Sequence, residues 1–147
     1  IWKKANFEVQ TNFMAPVYLI KKLLPIIEKN PRSAIINVTT GLVYVPRANY
    51  PFYNATKAAL HSFTQALRWQ MQNKPTEIIE VLFPAVDTPW HNGNPPKIAI
   101  PVDKAVSEMI KGLKKGKKEI HVAGANLIRK ISRIAPSFAM KKINSSE

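Results

Sequence analysis

The chain has no cysteine, few acidic residues and only 5 glycines among its 147 residues. Without thiols it can form no disulfide and no thiolate metal site. The glycines, Gly41, Gly93, Gly112, Gly116 and Gly124, are scattered. No glycine-rich turn therefore stands between a strand and a helix to cradle a phosphate. No apolar run approaches the roughly 20 residues needed to cross a membrane. The opening segment IWKKANFEVQ lacks the apolar stretch of a signal peptide. Together these absences predict a cytoplasmic protein. Ile1 is not an initiator residue, and the expectation is a reading frame incomplete at its start.

The acidic deficit is large: 9 Asp and Glu against 22 Lys and Arg, a formal net charge of +13. Such an excess favours anionic partners. The basic residues gather at Lys114, Lys115, Lys117 and Lys118, and again at Arg129, Lys130, Arg133, Lys141 and Lys142. Nucleic-acid binding would want aromatic side chains among these charges, or a recognisable motif. Neither is present, so no nucleic-acid partner is predicted. A solvated basic surface is expected, with contact to a membrane surface as the lesser alternative.

At this length the chain forms one domain with a real core. Phe13, Val17, Ile20, Leu24 and Ile27 recur at helical spacing within a first helix from about Phe7 to Glu28. Pro16 is predicted to bend it, and Pro25 to loosen its last turn. Residues 34–39 (AIINVT) are short, apolar and β-branched, which predicts a strand buried on both faces. From Tyr53 to about Gln72 there is neither proline nor glycine, and Leu60, Phe63, Leu67 and Met71 mark one face of a second helix.

A second strand is predicted over residues 77–83 (EIIEVLF), followed by a loop over residues 84–101 rich in Pro, Asn and Gly. A third helix then runs to about Gly116, with Ala105, Met109, Ile110 and Leu113 on its apolar side. Residues 118–123 read as a weaker third strand. Residues 124–147 read as one basic amphipathic helix with Leu127, Ile131, Ile134 and Phe138 on a shared face. Strands alternating with helices predict an α/β fold, with a parallel sheet of about three strands and helices on both faces. The first strand is apolar enough to want a neighbour on each side, and only one follows it. That points to missing strands.

Tyr53-Asn54-Ala55-Thr56-Lys57 opens the second helix and carries the chemistry. Residues four apart share a helix face, so the phenol and the ammonium can act together. A fixed positive charge favours phenolate and draws the tyrosine pKa down from about 10. Tyr53 then becomes a usable general acid or base for carbonyl and alcohol chemistry. Alone, Tyr-x-x-x-Lys is a weak signal, because chance produces it in many helices.

The context strengthens it. The segment INVTTGLVYVPRANYPFYNATKAALHSFTQALRWQM resembles the active-site region of the short-chain dehydrogenase/reductase family. There a buried strand ends in a catalytic serine, a loop follows, and Tyr-x-x-x-Lys begins the next helix. The family serine stands 13 residues before the tyrosine, a position held here by Thr40. Asn12 in QTNFMAPVYL matches the family's helix asparagine, and FPAVDTPW matches its Pro-Gly motif. The tail IRKISRIAPSFAMKKIN is similar to a bacterial subgroup of oxidoreductases named after teichoic-acid D-alanylation operons.

The resemblance implies a partial Rossmann-like, doubly wound domain that lacks its N-terminal cofactor-binding strands. It implies NAD or NADP as cofactor and a small carbonyl or alcohol as substrate. Tyr53 would transfer the proton, while Lys57 would lower the tyrosine pKa and bond the nicotinamide ribose. Thr40 would donate to the substrate oxygen, and Asn12 would hold a relay water. Pro84, the backbone at Val86 and the hydroxyl of Thr88 would meet the nicotinamide carboxamide.

Two replacements stand out. Thr40 stands for the usual serine and keeps the hydroxyl; Thr39 beside it is the lesser candidate. Ala85 stands for the glycine of the Pro-Gly motif, which matters only where φ must be positive. The resemblance also implies a homo-oligomer built on the helices that begin near Asn12 and Tyr53. The alternative is a truncated, inactive chain that acts through dimerisation or a basic-surface partner, such as a membrane or an intact homologue. His61, His91 and His121 lack metal-ligand spacing and are expected in packing or surface roles, with Trp90 and His91 beside the substrate. Asp87 reads as a turn residue.

Overall fold

The computed structural model describes residues 2–145; Ile1, Ser146 and Glu147 of the predicted tail helix lie outside the described residues. The chain opens with helix α1 (Trp2–Val9), one π-helical turn (Gln10–Met14) and helix α2 (Ala15–Ile27) in continuous succession. Pro16 causes the irregularity. It has no N–H to give the Asn12 carbonyl four residues back, and just before it the Ala15 amide reaches Gln10 instead.

Strand β1 (Ser33–Thr40) leads through a 3-10 turn (Gly41–Val43) and a loop to helix α3 (Pro51–Gln70). Proline at the start of α3 sits where a missing N–H costs nothing. Strand β2 (Thr76–Phe83) follows, then helix α4 (Val102–Lys114) and strand β3 (Glu119–His121). The chain ends in helices α5 (Ala125–Ile134) and α6 (Pro136–Asn144). The sheet is parallel in the order β1-β2-β3, with Asn37 opposite Glu80 and Thr39 opposite Leu82. The expected α/β architecture is therefore observed.

The two faces carry separate cores. Ile20, Leu67, Met71 and Ile78, with Leu24, Ile35 and Phe63, pack α2 and α3 on one face. Ile79, Val81, Ala105, Ile120 and Val122, with Met109 and Leu113, pack α4 on the other. α4 comes so close to β3 that a Cβ at Gly112 would lie 2.6 Å from Ile120 Cγ2. Ala105, Met109, Gly112 and Leu113 form the inward stripe, so Ile110, one residue round from Met109, faces outward and not into the core as expected.

The tail also departs from expectation. Pro136 divides it into two helices, and the backbone of Ala135 (φ −138°) breaks the helical path. Leu127, Ile134 and Phe138 are exposed, whereas the buried residues are Ala125 and Ala139. Small side chains make the contact, because the tail packs closely against the turn at Gly41: a Cβ there would lie 3.4 Å from Ala125 Cβ. No helix among the described residues is long and apolar enough to cross a membrane.

One edge of the sheet is open. Among the described residues β1 pairs only with β2, and Ile36 and Val38 are 42% and 47% exposed. A groove of about 440 Å³ lies along that edge, walled by Leu19, Ile20 and Leu23 of α2.

Gly112→Ala tests the α4–β3 contact. Alanine is a better helix former by about 1 kcal/mol, yet overpacking against Ile120 should reverse the sign and lower stability by about 1–2 kcal/mol in urea unfolding. Ile120→Ala, which removes all three carbons the new Cβ would meet, should cost less in the Gly112→Ala background than in the wild type. An unchanged midpoint in the single variant would show that Ile120 moves aside freely.

Candidate active site

Thr39 and Thr40 end β1 and, as consecutive strand residues, point to opposite faces. The Thr39 hydroxyl donates to Glu80 Oε1 at 2.5 Å, inside the domain. Thr40 faces the other way, caps the 3-10 turn by accepting from the Leu42 amide at 3.3 Å, and lines a cavity of about 370 Å³. Tyr53 and Lys57, one turn apart on α3, line the same cavity. Asn12 joins them from the π-helical turn. Its Nδ2 donates to Thr56 Oγ1 at 3.3 Å, and that hydroxyl donates to the Tyr53 carbonyl at 2.9 Å. Pro84, Val86 and Thr88 complete the set from the loop after β2.

That loop folds back on itself through a bridge between Val86 and Ile100. The bridge uses the Ala85 carbonyl and the Asp87 amide, at 3.0 and 2.9 Å. Backbone groups alternate sides along an extended chain, so the amide and carbonyl of Val86 itself turn away from Ile100. Ala85 costs nothing in place of glycine: among described non-glycine residues, positive φ occurs at Asn92 and Ala123.

The electrostatics correct one expectation. Burial pushes the Tyr53 phenol above its ordinary pKa; the Thr40 hydroxyl, hydrogen-bonding to the phenolate, opposes this, and the Glu8 carboxylate adds to it. The shift is upward, not the downward one expected from Lys57. The Lys57 ammonium instead donates to the Val38 carbonyl at 2.9 Å, and burial lowers its own pKa.

Comparison with known proteins identifies the family. The family described as short chain dehydrogenase matches residues 2–98. The chain belongs to the short-chain dehydrogenase family. It is 37% identical over 145 residues to the uncharacterized oxidoreductase DltE of Bacillus subtilis, which covers 95% of this chain and 58% of DltE. That relationship supports the subgroup to which the tail is similar. A short-chain dehydrogenase of Burkholderia cenocepacia in complex with NADP superposes with a TM-score of 0.86 at 24% identity, covering 97% of this chain and 60% of that one. A family member from Burkholderia phymatum in complex with NAD gives 0.74 at 13% identity, covering 88% and 57%. The chain thus spans a little under two thirds of the length of these relatives.

In this member of the short-chain dehydrogenase family the cavity has walls that sequence reasoning missed. Leu42, Tyr50 and Ile98 line it, as do Ile128 of α5 and Ile143 of α6. Trp90 does lie at the site, its ring centroid 5.8 Å from that of Tyr50 and 6.4 Å from that of Tyr53. His91 packs edge-on against Trp90 at 4.9 Å.

The other two histidines build polar contacts behind the site. His61 lies one turn beyond Lys57 on α3, and its Nδ1 donates to the fully buried Glu80 at 2.8 and 2.9 Å. His121 Nε2 lies 3.0 Å from the Tyr44 hydroxyl and 3.1 Å from Glu119 Oε1. Glu119 also accepts from Tyr44 at 3.1 Å, and Arg129 of α5 lies 3.7 Å away. The His121 hydrogen bond, with help from Tyr44 and Arg129, holds the Glu119 carboxyl down to about 2, against the opposing effect of burial. Burial and the Glu119 charge raise the Tyr44 phenol in turn.

Two outcomes follow. Removing the buried acceptor by Glu80→Ala should cost about 3 kcal/mol or more in chemical denaturation, because it strands the His61 donor and the Thr39 hydroxyl. Glu80→Gln, which keeps an acceptor, should cost markedly less; equal losses would show that the cavity matters and the bonds do not. The depressed Glu119 pKa contributes stability that is fully present above about pH 4.5 and is lost as the pH falls towards 2. Because Glu119 is only partly buried, solvent screening keeps the contribution to about 1–2 kcal/mol. Urea titrations across that window should show a shallower pH slope in Glu119→Gln, and an unaltered slope would contradict the assignment.

Proposed function

We propose that this chain carries the proton-transfer and substrate-binding part of an NAD(P)-dependent oxidoreductase that interconverts a carbonyl and a secondary alcohol. The observation that carries the reading is the convergence of Asn12, Thr40, Tyr53 and Lys57 with Val86 and Thr88 on one cavity.

In the reducing direction Tyr53 is the acid. Burial keeps the phenol protonated, so it holds a proton for the substrate oxygen as negative charge develops there. The Thr40 hydroxyl donates to the same oxygen and then to the phenolate left behind. Lys57 offsets the charge of that phenolate from one turn along α3. The Asn12 carbonyl, deprived by Pro16 of its α-helical donor, is a ready acceptor for a water that returns the proton.

The residues fit the nicotinamide end of the cofactor. Val86 turns its own amide and carbonyl away from the bridge, and Thr88 makes no capping hydrogen bond in the turn it precedes. A bound nicotinamide, of NAD or NADP, supplies the hydride chemistry. No glycine-rich phosphate turn occurs in the chain. We assign that role to a dinucleotide-binding segment of the kind by which the relatives exceed this chain in length.

The open edge of β1 supports that assignment, since an unpaired apolar edge is a template for a further strand. Lys57 and Val38 both line the groove on that edge. A strand paired there would compete for the Val38 carbonyl and return the ammonium to Tyr53.

A second reading is an inactive chain that works by association. It is favoured by the exposed apolar surface of α1, α2 and α3, where Phe7, Tyr18 and Trp69 face solvent. The helices beginning near Asn12 and Tyr53 would then hold a second copy or a longer homologue. Mass spectrometry of the protein from its source separates the two. A mass well above 16.6 kDa supports the enzyme, and a mass equal to it supports the associating chain.

For the enzyme, Tyr53→Phe should lower kcat by about 10²–10⁴-fold with little change in thermal unfolding. Retained turnover of NAD(P)H with a ketone would refute the assignment of Tyr53.

A further inference from the structure

We infer that the outward face of α5 and α6 docks on an anionic lipid surface. The side chains involved lie outside the cavity and take no part in the proposed reaction.

The tail is already seated on the body of the chain by its small side. Ala125 and Ala139 are buried, Arg129 reaches Glu119 at 3.7 Å, and Asn144 accepts from the Ala48 amide at 2.6 Å. Its large apolar side chains are left outside: Ile134 is 85% exposed, Leu127 61% and Phe138 59%. Leu127 and Ile134 stand two turns apart on one face of α5, with exposed Lys130 between them. Phe138 and exposed Lys141 stand one turn apart on α6. The body of the chain holds the opposite face, so it is not what covers this one.

Charge identifies the occupant. No acidic residue occurs between Glu119 and Glu147, whereas Arg129, Lys130, Arg133, Lys141 and Lys142 all fall there. The side chains of Lys130, Arg133 and Lys141 have no ion pair or hydrogen bond among the described residues. A second copy apposed through the same face would set these cations against each other. The rest of the chain offers no matching acidic patch, since Glu28, Glu77, Glu80, Glu108 and Glu119 already hold donors of their own. Nucleic acid would reward stacking, and Phe138 is the one Phe, Tyr or Trp beyond Trp90. An anionic bilayer surface meets both needs. The apolar side chains enter the boundary between headgroups and acyl chains, while the lysines and the arginine stay with the phosphates.

Sedimentation of the purified protein with vesicles tests this. Mixed phosphatidylglycerol and phosphatidylcholine vesicles should bind it at least about tenfold more tightly than phosphatidylcholine alone. Ile134→Ser with Phe138→Ser keeps every charge and alters only exposed side chains; it should weaken binding to the mixed vesicles about tenfold. Lys130→Gln, Arg133→Gln and Lys141→Gln together should remove the preference for the anionic vesicles. As many changes on α4, Lys104→Gln, Lys114→Gln and Lys115→Gln, should leave affinity within about threefold, because those charges lie off the contact. Equal binding to both vesicles, unchanged affinity in the serine variant, or as large a loss in the α4 variant would overturn the inference. A dimer in solution that the two serine changes dissociate would overturn it too, and would assign the face to a second copy.

Discussion

Glu80 has no contact with water, and a carboxylate so placed must be met by donors or carry a large desolvation cost. The chain meets it from two elements at once. Thr39 reaches it from β1 and His61 from α3, while Glu80 itself belongs to β2. One side chain therefore ties together the strands and the helix that carry the site. Thr39 is the neighbour of Thr40, and His61 stands one turn beyond Lys57. The strand and helix that carry Thr40 and Lys57 are thus tied together from behind, by hydrogen bonds on the side of β1 away from Thr40.

A second polar cluster does the same for the C-terminal helices. Glu119 on β3 gathers Tyr44 from the loop after β1, His121 from its own strand and Arg129 from α5. The loop and α5 both contribute to the cavity wall, through Leu42 and Ile128. Apolar packing alone would leave α5 weakly held, since Leu127 and Ile134 face solvent. Fixed charge and the small contact at Gly41 and Ala125 hold it instead.

Much of this was legible in the sequence, for identifiable reasons. Helical spacing in Leu60, Phe63 and Leu67 marked the buried face of α3, because one face of a helix has only one periodicity to show. Strand alternation turns Thr40, the residue the spacing to Tyr53 indicated, towards the cavity and Thr39 towards Glu80. The tail was less legible. Its large apolar residues were read as the packing face, yet the close contact at Gly41 admits only the small face, and Pro136 cuts the helix in two. The pKa direction of Tyr53 could not be read either. It depends first on burial of the phenol, opposed by Thr40 and helped by Glu8, and burial by tertiary packing leaves no local mark on a sequence. Ile128 and Ile143 lie far along the chain from Tyr53 and reach the cavity only through tertiary packing, so no local pattern points to them.

The two ends of the cavity differ in how far this chain completes them. The walls contributed by α6 and by the loop after β2 are built within the described residues: Asn144 locks α6 to the loop before α3, and the loop after β2 is pinned by its bridge at Val86. The other end opens on the free edge of β1, where Lys57 spends its ammonium on the carbonyl of an exposed strand residue. A lysine four residues after a tyrosine tunes it only if nothing nearer competes for the charge. Here a strand edge competes. For Tyr53, the proposed proton donor, the surrounding side chains are thus assembled within the described residues, whereas the influence of Lys57 depends on what covers that edge.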